Sequence, residues 1–224
     1  MPKILSVNVS LPKEVEFEGQ KVTTGIFKEP VKGRIMLRTL NLNGDKQADL
    51  TVHGGVDKAV YAYSIEHYEY WRKVFPNIEM PYGMFGENFT VEGLMENEVS
   101  IGDVFQVGSS KVVATQPRMP CYKLGVKFGR MDVLKKFLAS GRSGIYFKVL
   151  EEGEVGAGDT IEQITKDPNG VTISDVVRLY AKDREDIKMM QRAAKVEFLP
   201  EGWKHYFLDQ IKRIEGNQAK RKRR

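Results

Sequence analysis

A change of hydrophobic pattern near residue 167 constrains the fold of this chain more than any other sequence feature. Before that point, short apolar runs of strand length, such as residues 3–9 and 34–37, are separated by glycine turns. After the turn-rich segment 167–170 (DPNG), apolar residues recur at helical spacing. The sequence therefore predicts a strand-rich domain over residues 1–164, followed by a small helical unit over residues 165–215.

Several local signals place elements within the strand-rich region. Residues 104–115 are predicted to form a β-hairpin, because Gly108 can take the positive φ that a tight turn needs. Residues 65–75 carry apolar side chains at helical spacing between Ser64, a good N-cap residue, and Pro76, which stops a helix. A second helix is predicted over residues 131–138. The predicted fold class is mixed α+β, mainly β, with a barrel-like sheet and a few helices.

Three short helices are predicted in the C-terminal unit. Thr172 and Asp175 have the spacing of a capping box before the first. The segment 183–186 opens the second, and Pro200 stands at the start of the third, which Gly216 is predicted to close. Helices this short need one another or the main domain for stability. Residues 216–224 are predicted to be a disordered basic tail.

The net charge of +5 arises in that tail, since the last five residues are all cationic and the remaining 219 balance. Nucleic-acid binding needs clustered cations on the folded surface, so a neutral body argues against a nucleic-acid partner. The single cysteine excludes an internal disulfide and favours a reducing compartment. Because no leader-like or membrane-spanning apolar run is present, we expect a soluble, cytoplasmic protein without a membrane partner.

The cysteine itself, Cys121, follows a segment with two prolines, TQPRMPC over residues 115–121. The prolines restrict φ and predict a stiff loop, while Arg118 and Lys123 supply the positive charge that favours a thiolate. A buried structural cysteine is the alternative, and the residue type alone gives the two interpretations about equal weight. The loop position and the flanking cations favour a functional cysteine.

Three further segments carry candidate residues. His53 precedes two glycines that would allow close approach of a ligand, or it is a turn histidine bonded to backbone. Glu87 and Asn88 follow a glycine-bounded turn and suit recognition of a polar heterocycle, or Asn88 forms an Asx turn. Arg142 lies between glycines as a candidate phosphate clamp, although this segment alone favours a solvated loop arginine.

Together and in this order, these segments resemble the MOSC domain, named for the C-terminal domain of molybdenum cofactor sulfurase, in its bacterial YiiM-like branch. The matching motifs are residues 44–50 (GDKQADL), 53–61 (HGGVDKAVY), 83–88 (GMFGEN), 102–103 (GD), 115–121 (TQPRMPC) and 141–146 (GRSGIY). The resemblance extends over residues 1–164, and the C-terminal segment is similar to the three-helix unit of that branch. It implies a barrel-like fold that binds a pyranopterin molybdenum cofactor, whereas pyridoxal phosphate is not expected.

The resemblance also implies roles for individual residues. Cys121 is implied to be the molybdenum ligand and the catalytic residue, which agrees with the preference of soft metals for thiolates. Asn88, Thr115 and Arg118 match motif positions near the pterin or its phosphate. The other residues in matched motifs are expected to bind the cofactor in roles that the resemblance does not specify: His53, Lys58, Glu87 and Arg142.

The activity implied by the resemblance is reduction of N-hydroxylated compounds, such as hydroxylamino-purines or amidoximes, to the amines. One cysteine cannot hold an iron–sulfur cluster, so the electrons are expected from a separate flavin or iron–sulfur protein. The alternative is a carrier module in which Cys121 holds the cofactor or a persulfide without turnover. The sequence leaves the oligomeric state open, a homodimer included.

Overall fold

A computed structural model describes residues 1–46 and 54–222 of the chain, with side chains through residue 220. Twelve strands form in this described part, and most follow the predicted apolar runs. In chain order they are β1 (Lys3–Val9), β2 (Lys13–Phe17), β3 (Gln20–Thr24), β4 (Glu29–Pro30), β5 (Arg34–Leu37), β6 (Val60–Ser64), β7 (Phe89–Glu92), β8 (Val104–Val107), β9 (Ser110–Pro117), β10 (Ile145–Glu151), β11 (Gly153–Gly156) and β12 (Ile161–Thr165).

Eight strands form one curved sheet in the order β12-β8-β9-β10-β6-β7-β1-β4. Its hydrogen-bonded ladder is open, but the two sides almost meet, because Lys3 of β1 bridges to Thr160 just before β12. The amide of Ile161 also donates to the carbonyl of Pro2, with an N···O distance of 2.8 Å. The sheet is thus barrel-like without full closure, and the predicted fold class is confirmed. The pairs β11–β5 and β2–β3 form two small separate sheets.

The helices of the described residues are α1 (Ile65–Val74), α2 (Tyr122–Phe128), α3 (Asp132–Ser140), α4 (Ile173–Ala181), α5 (Ile187–Ala193) and α6 (Glu201–Lys222). The capping box before α4 forms as predicted, since the Thr172 hydroxyl accepts from the Asp175 amide and the Asp175 carboxylate accepts from the Thr172 amide. No helix in the described part of the chain is long and apolar enough to cross a membrane.

Two details of the helices correct the sequence predictions. Helix α6 continues through Gly216 to Lys222, so the disordered tail expected from residue 216 is wrong for residues 216–222. A glycine lowers helix stability only modestly, and helix-favouring residues follow it here. Ser64 precedes α1 but its hydroxyl donates to the Leu94 carbonyl at 2.8 Å, so its side chain does not cap the helix.

The core has two parts that fix the surroundings of the site. The larger part fills the sheet and continues without a break into α4, α5 and α6, whose Val176, Leu179 and Phe207 are buried against it. The smaller part is mainly aromatic and joins α1, α2 and α3 around Trp71 and Phe85. The C-terminal helices are therefore packed against the strand-rich domain, with the apolar contact that their length requires.

Candidate functional site

The cavity beside Cys121, called the main cavity below because it contains the cysteine, lies where the C-terminal end of β9 meets the starts of β10 and β6. It contains about 620 Å³ of empty space, counted to its open mouth. Its polar lining combines four cations with an amide and the thiol: Lys28, Lys46, Arg118, Lys123, Asn88 and Cys121. Tyr61 and Tyr146 add aromatic surface. The described residues thus surround a concave space that is positively charged and partly apolar.

Cys121 lies on the wall of this cavity, directly before the first residue of α2. Its side chain is only partly buried, so the thiol is accessible from the cavity. The segment preceding it extends from β9 through two prolines, which restrict the backbone as predicted. The sequence did not predict α2, and this helix anchors the C-terminal side of the cysteine.

Arg118 lies close to Cys121 and is 7% exposed. Its Nη1 donates to the Phe85 carbonyl, and its guanidinium lies 4.9 Å from the centre of the Tyr61 ring. Burial works against the charged form, but the neighbouring Tyr61, Tyr146 and Cys121 raise the pKa of Arg118 above its ordinary value. The cavity therefore holds a permanently charged guanidinium in a fixed orientation, suited to an anionic group.

A second buried cation, Lys28, is paired within the cavity wall. Its Nζ lies 2.5 Å from Oδ1 of Asp45, and the two side chains are 8% and 2% exposed. Asn88 donates from Nδ2 to the other Asp45 oxygen at 2.9 Å and accepts from the Tyr61 amide at 3.2 Å. Burial lowers the pKa of Lys28, and Asp45 offsets this in part. Asn88 thus acts chiefly by fixing Asp45 and the strand beside it.

Glu87 lies behind the cavity wall and is fully buried. Its carboxylate accepts from the amides of Gly83 at 2.9 Å and Phe85 at 3.0 Å, and from the hydroxyls of Tyr68 and Thr90. Burial raises the pKa of Glu87, while these donors favour its charged form. Glu87 therefore holds the loop whose Phe85 carbonyl receives Arg118.

The position of Gly86 in that loop requires a glycine for two reasons. Its φ of +73° lies in the left-handed region. A Cβ there would also lie 2.7 Å from Cγ1 of Ile26 and 3.5 Å from Nη1 of Arg118. A larger residue would displace the cavity wall beside the guanidinium.

A second concave surface adjoins the cavity, and we call it the aromatic cleft. Its C-terminal wall carries Tyr180, Trp203 and Tyr206, and the facing wall includes Lys58 and Gln116. Burial lowers the pKa of Lys58, and the charges of Asp57 and Cys121 oppose that effect. Met119 lines both spaces, so the cleft and the cavity are contiguous.

The structure brings only some of the predicted site residues to the cavity. Asn88, Arg118 and Cys121 line it, and Lys58 lines the adjoining cleft. His53 lies outside the described residues.

Two predicted residues are placed elsewhere. The Thr115 hydroxyl is buried and donates to the carbonyls of Asp57 at 2.7 Å and Tyr146 at 3.0 Å, so it joins strands instead of facing the cavity. The guanidinium of Arg142 lies 3.9 Å from the centre of the Tyr70 ring, outside the cavity lining. The placement of Arg142 agrees better with a structural role than with a phosphate clamp.

Sequence reasoning missed several lining residues, among them Lys28, Lys46 and Tyr146. Lys28 lies outside every matched motif and meets Asp45, 17 positions away, only in the folded chain. Tyr146 belongs to the matched motif 141–146, but the resemblance assigns it no role. The sequence therefore contained a motif that could have identified Tyr146 as a lining residue, and none that could have identified Lys28.

Comparison with known families and structures identifies the class of the protein. The model of the MOSC domain matches residues 49–162, and that of the YiiM-like, 3-alpha helix domain matches residues 171–213. The chain belongs to the MOSC family, in the branch with the YiiM-like three-helix unit. MOSC domains are associated with the molybdenum cofactor, so this membership indicates a related role.

Individual relatives agree with this assignment. The chain is 39% identical over 211 residues to "Uncharacterized protein YflK" of Bacillus subtilis, covering 94% of this chain and 95% of the relative. The crystal structure of YiiM from Geobacillus stearothermophilus superimposes with a TM-score of 0.79 at 31% identity, covering 94% of this chain and all of the other. A protein of Gibberella moniliformis named "Reductase" is 32% identical over 66% of this chain, a match that covers 27% of that protein.

Proposed function

We propose that this protein binds a molybdenum cofactor in the main cavity and reduces N-hydroxylated compounds to the corresponding amines. In this reaction the N–O bond breaks, and two electrons and two protons convert the N-hydroxyl group to N–H and release water. When bound, the cofactor would supply the two-electron redox chemistry. The observation that carries the proposal is an accessible Cys121 thiol beside the buried, permanently charged Arg118 in one partly apolar cavity.

The donor set of the cavity fits such a cofactor. A thiolate at Cys121 suits a soft metal, and one cysteine on a rigid wall can provide one ligand. Arg118, Lys46 and Lys123 offer charge-assisted hydrogen bonds to a phosphate. The absence of a Cβ at Gly86 lets Ile26 pack closely against this loop, which keeps the cavity wall beside Arg118 in place.

The protein's own residues would bind and orient the reactants. The positive surroundings of Cys121, including Lys58 and Arg118, favour its thiolate form. Glu87 and Asn88 would act as positioning residues, since one holds the Phe85 loop and the other holds Asp45. The rings of Tyr61 and Tyr146, 5.0 Å apart, would exclude water from one side of the cavity.

The proposed reaction needs an external source of electrons. The single cysteine of the chain cannot hold an iron–sulfur cluster, so we propose a separate flavin or iron–sulfur protein as donor.

Molybdenum and pterin analysis of protein from a host with intact cofactor synthesis tests the proposal. We expect about one molybdenum per chain, as one thiolate site implies, and loss of the metal in Cys121→Ser. Lys136→Gln, a change on the exposed face of α3, is the control and should retain the metal. Wild-type protein that is folded and free of molybdenum would contradict the proposal.

The alternative function is a carrier in which Cys121 holds a persulfide or the cofactor for delivery. The partial exposure of Cys121 favours it, because a sulfur that is handed on must be reachable by a partner. Mass spectrometry that finds a labile sulfur on Cys121, in protein free of pterin, would support this alternative. Steady turnover of an amidoxime by the molybdenum-loaded protein would exclude it.

A further inference from the structure

Positive charge is concentrated in the segment that contains Cys121. Residues 118–142, which extend from the end of β9 through α2 and α3, carry seven cationic side chains and one carboxylate, that of Asp132. Since the chain without its last five residues has no net charge, this surplus is offset by carboxylates elsewhere in the chain. Such a separation of charge produces a field at one face of a protein, and the field steers oppositely charged partners toward it.

Two lysines carry part of this charge outside the main cavity. Lys13 of β2 and Lys127 of α2 both place their ammonium groups against the ring of Phe27, with Nζ 4.7 and 4.8 Å from the ring centre. Burial lowers the pKa of Lys127, the charge of Lys13 adds to that effect, and Glu87 and Glu29 oppose it. No carboxylate of the described residues forms an ion pair with either lysine. Each cation gains from the shared ring, but two like charges brought together oppose that gain, so positive charge is left uncompensated here.

These two lysines continue the charged wall of the main cavity. Lys123 lines the cavity and stands four residues before Lys127, so the two side chains lie on one side of α2. Phe27 lies between two lining residues, Ile26 and Lys28. A cofactor inside the cavity would bond to the lining cations, whereas Lys13 and Lys127 do not belong to the lining and remain available to another anionic partner.

Tyr122 adds an aromatic side chain to this region. It directly follows Cys121 in the chain and is 48% exposed. Tyrosines beside cations are typical of protein–protein interfaces. A protein that covers Tyr122 would also lie beside the mouth of the cavity, where the Cys121 thiol is accessible.

We call this surface the basic rim. It consists of the exposed or half-buried side chains around the mouth of the cavity: Lys13, Lys46, Tyr122 and Lys127.

Acidic residues near the basic rim favour a protein partner over a nucleic acid. Glu14 and Glu16 are exposed on the same strand as Lys13. Glu29 is exposed and close enough to Lys127 to act on its pKa. An extended phosphate backbone would meet these carboxylates as well as the lysines, and its binding depends on several cationic contacts. A protein with a compact acidic patch can contact the lysines and avoid the carboxylates.

We propose that the basic rim docks the electron donor of the reaction, a small flavin or iron–sulfur protein whose redox centre lies beside an acidic patch. This inference rests on the proposed function for the need of electrons, and it adds where the donor binds and which charge it carries. The docked donor is oxidised by two electrons at the mouth of the cavity, and these are the two electrons that break the N–O bond in the proposed reaction. Redox complexes of this kind bury little area, so charge acts mainly on the rate of association.

Turnover with two electron donors tests the proposal on the molybdenum-loaded protein, with benzamidoxime as substrate. Reduced flavodoxin, an acidic flavin protein, requires a docking surface, whereas reduced methyl viologen, a small cation, requires none. The double variant Lys13→Glu, Lys127→Glu should lower kcat/KM for flavodoxin about 10- to 100-fold at low ionic strength, because attraction is replaced by repulsion. Turnover with methyl viologen should stay as in wild type, which would also show that the variant is folded.

A matched control separates the position of the charges from their number. Lys166→Glu, Lys188→Glu changes the net charge by the same amount at exposed positions outside the basic rim and the cavity lining, and it should behave nearly as wild type. The milder variant Lys13→Gln, Lys127→Gln should show a smaller loss with flavodoxin. Added salt should slow the wild-type reaction with flavodoxin and should not slow the charge-reversed variant, since salt screens both attraction and repulsion.

Binding measured without turnover keeps the two proposals distinguishable. Titration calorimetry of oxidised flavodoxin into the full chain measures docking alone. Binding that depends on Lys13 and Lys127, in a protein that reduces no N-hydroxylated compound with either donor, would support the docking surface and reject the proposed reaction.

Three results would overturn the docking surface and leave the proposed reaction standing. The first is turnover with flavodoxin that neither charge reversal nor salt changes. The second is turnover with methyl viologen but none with flavodoxin or with an acidic plant-type ferredoxin. The third is turnover with methyl viologen in a protein whose Lys13 and Lys127 bind a DNA duplex or anionic lipid vesicles and bind no flavodoxin.

Discussion

The main cavity and the aromatic cleft are neighbours with opposite physical character. In the cavity, buried charged groups are compensated by partners, as in the Lys28–Asp45 pair and in the contact of Arg118 with Phe85. In the cleft, Trp203 packs edge to face against Tyr180 and Tyr206, and its indole N–H donates to Gln116. Because a buried charge without a partner is costly, the cavity tolerates little change, whereas an aromatic wall can accept a different ring.

This difference suggests a division of work between the two regions. The strand-rich domain alone supplies the charged cavity, and the C-terminal helices supply the ring surface beside it. The following substitutions test that division, in order of decreasing expected effect.

The largest effect is expected when the buried ion pair of the cavity is broken. Lys28→Met should lower the free energy of unfolding by about 3–5 kcal/mol, because it leaves the Asp45 carboxylate buried without its charged partner, with only the neutral donors of Asn88 and Ser10. Denaturant unfolding measures the change. Lys21→Met, which removes a cation 78% exposed and paired with Glu14, is the control and should change stability by about 0.5 kcal/mol or less. Similar losses in both variants would show that the cavity pair is not special.

We expect an effect of intermediate size on cofactor retention when Arg118, in the cavity, is substituted and compared with Arg142, outside it. Arg118→Gln should reduce cofactor affinity about 10- to 100-fold, since a charged hydrogen bond contributes about 1.5–3 kcal/mol. Arg142→Gln should leave it nearly unchanged, because that guanidinium packs on Tyr70 outside the cavity. Pterin content, determined after purification from one host under one set of conditions, measures both. Equal losses would return Arg142 to the binding site.

The smallest effect is expected in the cleft. Gln116→Leu removes the acceptor of the Trp203 indole N–H and should lower the free energy of unfolding by about 1 kcal/mol. It should also shift the Trp203 fluorescence emission. Gln106→Leu, which loses amide bonds to the Gly108 and Ser110 carbonyls instead, should leave that emission as in wild type. An unaltered spectrum in Gln116→Leu would mean that the bond does not hold the indole.

The fold was largely predictable where local signals were strong. The β8–β9 hairpin forms around Gly108, whose φ is +56°, and the capping box before α4 is present. Helix α2 was not predicted, and its Gly125 lowers the local preference for a helix. The folded chain explains Gly125, since a Cβ there would lie 2.4 Å from Sδ of Met131. Close packing at the start of α3 outweighs the local preference.

The candidate site was predictable in part, because some of its residues stand in recognisable sequence motifs. Cys121, Arg118 and Asn88 stand in contiguous motifs, and all three line the cavity. Arg142 and Thr115 stand in motifs of the same kind but make structural contacts. A motif shows that a residue type is needed at a position, and it does not show which way the side chain points.

The sequence by itself determined the strand-rich domain, the helical unit and the importance of its single cysteine, because these depend on local pattern and residue chemistry. Only the tertiary structure decided which cations surround Cys121 and that Trp203 and Tyr180 form a wall beside it. Lys28 and Asp45, or Trp203 and Gln116, are distant in sequence and meet through packing of separate elements. Burial then gives these contacts their strength, and burial is a property of the folded chain.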